Sequence, residues 1–270
     1  RLGLPYAEPF TFLALRMVIA SLLLAGLALM AKAPWPRGWR RVGQVALAGL
    51  LIHAAYLGGV FSAIELGMGA GVAALIVGTQ PLLTAVLAPR LLGERITPRQ
   101  GFGFALGLVG VALVVGERLG GGTTTPAGVA CTGVALLGIT LGTLYQKRYG
   151  GGVDLRVAGA IQYAATALML YALALAFETR QIHWSGEFVF ALAWLVLVLS
   201  VGAVGLLYTL IQRGAASRVA SLFYLTPPLT ALIAWALFGE TLGPTALVGM
   251  AVVVAAVALV NAPQRQGRQV

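Results

Sequence analysis

The chain has 270 residues, of which 59% are hydrophobic and only 10% charged. Soluble domains carry roughly 25% charged residues, so this composition excludes a water-soluble globule. The net charge of +10 does not point to nucleic acid, because the Lys and Arg are spread over short loops, where they set orientation in a bilayer.

The opening residues, 1–9, have no apolar core and no room for a span, so they are not read as a signal peptide. They read as the end of a helix whose body lies upstream. Apolar stretches long enough to cross a bilayer follow at residues 10–31, 44–66 and 70–92, the last with Pro81 inside it, then a shorter Gly-rich one at 100–115. A polar, glycine-rich piece, 117–125, reads as a linker. Further spans are expected at 127–145, 157–177, 188–212, 216–238 and 245–261, with a loop at 146–156 and a basic tail at 262–270. The single cysteine, Cys131, lies in an apolar run and leaves no disulfide or thiolate metal site. No cofactor and no metal are expected, and no catalytic residue is assigned.

Sliding the sequence by 146 positions lays residues 74–114 on residues 220–260 with 16 identities in 41 positions and no gap. Pro81, Gly93-Glu94, Pro98 and Gly103 fall on Pro227, Gly239-Glu240, Pro244 and Gly249. The copies differ in charge. The first turn carries Arg90, Arg95 and Arg99, where the second has Ala236, Thr241 and Thr245. The turn before the first copy has Gly67 and Val72, where the second has Arg213 and Arg218. Positive loops stay in the cytoplasm, so the copies are expected to sit upside down to one another, as in many secondary transporters. If loops alternate sides, 14 of the 18 basic residues share one side, and the acids Glu8, Glu65, Glu117, Glu178, Glu187 and Glu240 lie on the other. That places the C-terminus in the cytoplasm. Nine spans are visible; a first helix upstream makes ten.

Pro9, Leu15-Arg16 and Ala20, with the doubled Pro…Leu-x-Gly-Glu-x-x-x-Pro at 81–98 and the matching turn at 227–244, resemble the EamA-type family of the drug/metabolite transporter superfamily. The resemblance covers essentially the whole chain. It implies an all-α polytopic membrane protein of two inverted-topology five-helix repeats. These are residues 1–116, holding the end of helix 1 and helices 2–5, and residues 126–261, holding helices 6–10. It also implies a central substrate cavity open to one side at a time and export of amino acids or other small metabolites. The chain departs from the pattern in lacking a complete first helix.

Polar groups inside a span are expensive and mark function by default. Arg16 reads either as an anchor or as a counter-ion for a substrate carboxylate. His53 and Tyr56, three residues apart, share a helix face with Gly49. Gly78 and Gln80 precede and flank Pro81, and Tyr224 precedes Pro227. Each proline frees a carbonyl one turn earlier, which suits a pair of gating kinks or simple bending. Gln162 and Thr166 make a stripe, while Tyr163 and Trp194 offer flat apolar walls to a ring-bearing solute. No Asp or Glu lies deep in a span, which disfavours a multidrug cation exporter, and one deep cation is too few to clamp phosphates.

The expected function is therefore a multi-pass inner-membrane exporter of neutral or zwitterionic metabolites, with hydrophobic or aromatic amino acids foremost and alternating access as the mechanism. Export of other metabolites or drugs with proton coupling, or a non-transporting scaffold, are the alternatives. The expected partners are a small-molecule substrate and the lipid bilayer; the sequence leaves the oligomeric state open, and a monomer is compatible with it. The topology is testable in a Cys131→Ser background. Single cysteines at Arg95 and Thr241 are expected to react with an impermeant maleimide from opposite compartments; labelling from one side refutes the inverted arrangement.

Overall fold

Hydrocarbon offers the backbone no hydrogen-bond partner, so a chain this apolar must satisfy its amides internally. The computed structural model describes residues 6–116, 125–226, 228–229, 232 and 243–262, and these are almost entirely helical. The first helix, α1 (Pro9–Met30), is followed by α2 (Trp39–Gly49), a π-helical segment (Leu50–Ala55) and α3 (Tyr56–Glu65), which together form one long span. Then come α4 (Ala70–Val77), α5 (Gln80–Leu92), α6 (Pro98–Gly116), α7 (Pro126–Tyr149) and α8 (Leu155–Phe177). A second long span joins α9 (Gly186–Trp194), a π-helical segment (Leu195–Ala203) and α10 (Val204–Arg213). The chain continues through α11 (Ala216–Ser221), a 3₁₀ turn (Leu222–Leu225) and α12 (Pro244–Asn261). Among the described residues, seven helical stretches are long and apolar enough to cross a bilayer.

Some bounds move relative to the sequence expectation. The residue 146–156 loop shrinks, because α7 runs on to Tyr149; Lys147 and Arg148 suit the negative end of the helix dipole. Pro81 lies near the start of α5 rather than inside a continuous helix. The kink expected there is a break at Gly78-Thr79. Pro227 and the Gly239-Glu240 turn lie outside the described residues.

The 146-residue interval carries through the helix starts. Pro9 and Leu155, Ala70 and Ala216, and Pro98 and Pro244 open α1 and α8, α4 and α11, and α6 and α12. The two π-helical segments also fall on corresponding stretches, since the shift takes 50–55 onto 196–201.

The helices gather into two compact units, each drawing on both copies. In the unit of Arg1–Met68 and Thr125–Ala215, α1 lies antiparallel to its counterpart α8. Phe10 and Thr11 at the start of α1 meet Glu178 at the end of α8, and farther along the Ser21 hydroxyl donates to the Ala160 carbonyl at 2.8 Å. The span of α2 and α3 lies on α7, where small residues let backbones approach. A Cβ on Gly138 would stand 2.8 Å from the Ala55 Cβ and 2.9 Å from the Leu51 carbonyl oxygen. One end of this unit is acidic: Tyr6 donates to Glu187, and Thr179 and the Arg180 amide donate to Glu8. The other is basic: Arg41 reaches the Tyr149 and Gly151 carbonyls, and Lys147 the Gln212 carbonyl. There Asp154 caps α8, and the Arg156 hydrogen bond holds its carboxyl below the usual carboxylate range.

In the unit of Gly69–Thr124 and Ala216–Val270, α6 packs antiparallel to its counterpart α12. A Cβ on Gly103 would meet Val260 at 2.7 Å and Ala256 at 3.2 Å. One on Gly249 would meet Val114 and Gly110, both at 2.8 Å. The shift of 146 exchanges these two sets of contacts, so the seam is built the same way from either helix.

Gly249→Ala is expected to lower stability by about 1–3 kcal/mol, because the added methyl strikes backbone. Gly133→Ala, where nothing lies within 4 Å, is expected to be neutral or stabilising by about 0.5–1 kcal/mol. Thermal unfolding in detergent measures both.

Candidate functional site

In the first unit, α1, α8 and the two long spans enclose a cluster of polar side chains. Arg16, on the buried face of α1, is 5% exposed. Its Nε donates to the Ser200 hydroxyl at 3.1 Å, and it makes no ion pair among the described residues. The Ser200 carbonyl accepts from the Tyr163 hydroxyl at 2.7 Å. The Tyr163 ring lies 4.8 Å from that of His53, at an interplanar angle of 47°. His53 Nε2 is 2.8 Å from the Tyr208 hydroxyl, and Tyr208 donates to Gln162 Oε1. Gln162 Nε2 in turn donates to Gln146 Oε1 at 2.9 Å, and Gln212 Nε2 donates to the Gln146 carbonyl at 2.9 Å. One linked chain of groups thus runs from Arg16 to the basic end of the unit.

Local structure places these groups. His53 and Ser200 each sit in a π-helical segment, where the wider turn displaces side chains from an α-helical register. Gly49 lets the start of one such segment press against Gln162, since a Cβ there would fall 2.6 Å from the Gln162 Cα. Thr166, one turn along α8 from Gln162, is fully buried and its hydroxyl has no partner among the described residues. A cleft of ≈ 450 Å³ opens at the acidic end, lined in part by Glu8, Glu65, Thr179 and His183; none of the cluster's side chains lines it.

The structure gathers Arg16, His53, Gln162 and Tyr163, with Thr166 on the same helix. Tyr56, which follows the π-helical segment, makes no hydrogen bond or ring contact with the cluster among the described residues. Trp194 is 54% exposed and stands beside Phe190, away from the cluster. Gly78, Gln80, Pro81 and Tyr224 belong to the second unit. There Gln80 is buried with Oε1 unpartnered, and Tyr224 is a core residue whose hydroxyl donates to the Phe104 carbonyl at 2.9 Å. Its ring lies against Gly107. The sequence did not single out Gln146, Gln212, Ser200 or Tyr208 as site residues. Gln146 and Gln212 sit beside basic loops and look like solvated ends, and Ser200 and Tyr208 are polar residues of their span with no spacing that marks a site.

Gln162→Leu strands the Tyr208 hydroxyl and Gln146 Oε1 together. A buried polar group without a partner costs about 1–3 kcal/mol, so the variant is expected to unfold at a visibly lower temperature in detergent. Unchanged stability would mean that the chain of hydrogen bonds is not closed in the folded protein.

Residues 1–116 and 126–262 match the EamA-like transporter family. The chain is 29% identical to the uncharacterized transporter YvbV of Bacillus subtilis, over 96% of this chain and 84% of that one. It is 31% identical to a probable terminal-alkyne amino-acid exporter of Streptantibioticus cattleyicolor, over 91% of this chain and 82% of that protein. A probable amino-acid metabolite efflux pump of Escherichia coli is 32% identical over 100 residues, 37% of this chain and 33% of that protein. A crystal structure superposes with a TM-score of 0.79 at 23% identity, covering 94% of this chain and 88% of that one, and so shares the fold. With a match spanning both copies of its repeat, the chain belongs to the EamA-like transporter family of the drug/metabolite transporter superfamily, a multi-pass membrane protein whose family moves small molecules across the bilayer and is not one of enzymes.

Proposed function

We propose that this protein exports small neutral or zwitterionic metabolites, with hydrophobic or aromatic amino acids foremost, across the bacterial inner membrane by alternating access. The observation that carries the reading is Arg16. A guanidinium buried among membrane helices is costly unless paired or hydrogen-bonded, and among the described residues its one partner is the Ser200 hydroxyl. The remaining N–H groups are placed to take a carboxylate from a solute. A fixed cation at this depth repels cationic drugs, and a single one holds a phosphate ester poorly. The probable amino-acid exporters among the relatives support the same class.

The proposal includes two inverted-topology repeats, residues 1–116 and 126–261, with the C-terminus in the cytoplasm. The antiparallel packing of α1 on α8 and of α6 on α12 supports it, since each pair consists of counterparts in the repeat. So does the separation of acidic and basic ends in the first unit.

Proteoliposomes loaded with labelled amino acids are expected to show protein-dependent counterflow. Arg16→Gln is expected to lower it about tenfold or more, because a lost charge-assisted bidentate contact is worth roughly 1.5–3 kcal/mol. Arg16→Lys is expected to recover part of the rate. No flux for any amino acid, or an Arg16→Gln variant as fast as the wild type, refutes the reading.

A further inference from the structure

The direction of the hydrogen bonds around His53 says what that residue offers a ligand. Gln162 spends its amide N–H on Gln146 Oε1, so its own Oε1 faces Tyr208 as an acceptor. Tyr208 has one proton, and it goes to Gln162. At 2.8 Å from His53 Nε2, the Tyr208 hydroxyl is then the acceptor, and Nε2 carries the proton. A neutral imidazole protonated at Nε2 has a bare lone pair at Nδ1. No partner for Nδ1 exists among the described residues. Arg16 is the cation of this cluster. The cluster holds no second ionisable cation, since α8 faces His53 with Tyr163, α10 with Tyr208, and the α7 stretch packed on the π-helical segment, 138–142, has no ionisable side chain.

Ser200 does for Arg16 what Tyr208 does for His53. By accepting from Nε it closes one of the two edges by which a guanidinium grips a carboxylate. The terminal edge, with Nη1 and Nη2, remains. Its own position is fixed through its carbonyl by Tyr163, which stands between the two sites. The unpartnered Thr166 hydroxyl, buried one turn from Gln162, is a further group that a polar ligand would satisfy.

We propose that Ser200 and the Gln146–Gln162–Tyr208 chain are specificity-determining positioning groups, which leave the terminal edge of Arg16 for a carboxylate and present His53 Nδ1 as a neutral acceptor for the ammonium group of the same zwitterion. This rests on the transport reading but is tested by binding, which needs no flux. A solute with both groups satisfies both sites, whereas an amine leaves Arg16 unpaired and an acid leaves Nδ1 unpaired.

The test measures ligand-induced stabilisation of the full chain in detergent. The probes are phenylalanine, leucine and threonine, each with its decarboxylated amine and its deaminated acid. The wild type is expected to prefer at least one amino acid about tenfold or more over both analogues, since a site built to hydrogen-bond a group rejects the ligand that lacks it. Ser200→Ala is expected to erode the preference over the amine. Tyr208→Phe keeps the imidazole but frees its tautomer, and is expected to erode the preference over the acid while sparing the other. His53→Leu is expected to do the same more completely. A wild type that binds none of the amino acids, or that binds an acid as well as its amino acid, overturns the proposal; the latter is what a chain running in the opposite direction would give. So does a Tyr208→Phe variant, folded by its unfolding midpoint, with both preferences intact. Binding with the expected selectivity but no counterflow would refute transport and leave this assignment standing.

Discussion

The arrangement depends on one constraint, that a cation carried into hydrocarbon has to be surrounded by groups that satisfy it. Arg16 is the deep cation of this chain, and the first unit is organised to hold it. A serine at its Nε has to be held in turn, and Tyr163 does so through the Ser200 carbonyl. Ser200 can stand there because its segment is π-helical, and the same deviation places His53 on the other long span. Packing in this region follows from polar satisfaction, with apolar side chains filling the space between: Phe12, Leu13, Met17 and Leu170 are buried in the same core.

Helix ends obey the same rule. The first amides of a helix have no partner within it, and two of these helices receive a carboxylate from another helix's end. Glu178 takes the Phe10 and Thr11 amides at 2.6 and 2.7 Å and the Thr11 hydroxyl at 2.7 Å. Glu94 takes the Ala216 and Ser217 amides at 2.6 and 3.2 Å and the Ser217 hydroxyl at 2.7 Å. Each pairs a glutamate just after one helix with a hydroxyl residue in the first turn of another. An anion at a helix N-terminus also meets the positive end of its dipole. The Glu94 of the repeated Gly-Glu turn is thus a structural cap.

The frame was legible in the sequence because its signals are long. Apolar runs and a repeat of 146 residues need no side-chain geometry, and the described helices fall within a few residues of where hydropathy puts them. The site was half legible. Arg16, His53, Gln162 and Tyr163 stand out because polar residues are rare in spans. The rest was hidden in the backbone. A π-helical segment has no residue signature here, so the spacing of Tyr56 suggests a neighbour of His53 and nothing in the sequence marks Ser200. Trp194 has the chemistry of a cavity wall, but which way a ring faces on an apolar helix depends on neighbours that periodicity does not reveal. Gln146 reads as a loop residue in the sequence, whereas α7 continues three residues beyond it.

The repeat sharpens what the site means. Counterparts across the 146-residue shift share backbone form but differ in side chain wherever the cluster is polar. Arg16 corresponds to Gln162, Tyr163 to Met17, His53 to Leu199, Ser200 to Ala54 and Tyr208 to Ser62. Duplication supplies two equivalent frames, and equivalent frames can exchange conformations at little cost, which is what a carrier requires. A carrier's ligand is a single asymmetric molecule, so recognition has to break the symmetry that the mechanism uses. The polar side chains of the cluster are among the many positions at which the copies differ, on helices whose starts still match. Core glycines such as Gly103 and Gly249, whose task is the same in both copies, stay alike. On the alternating-access proposal, the matching backbones serve the exchange of conformations and these unmatched polar side chains serve the choice of solute.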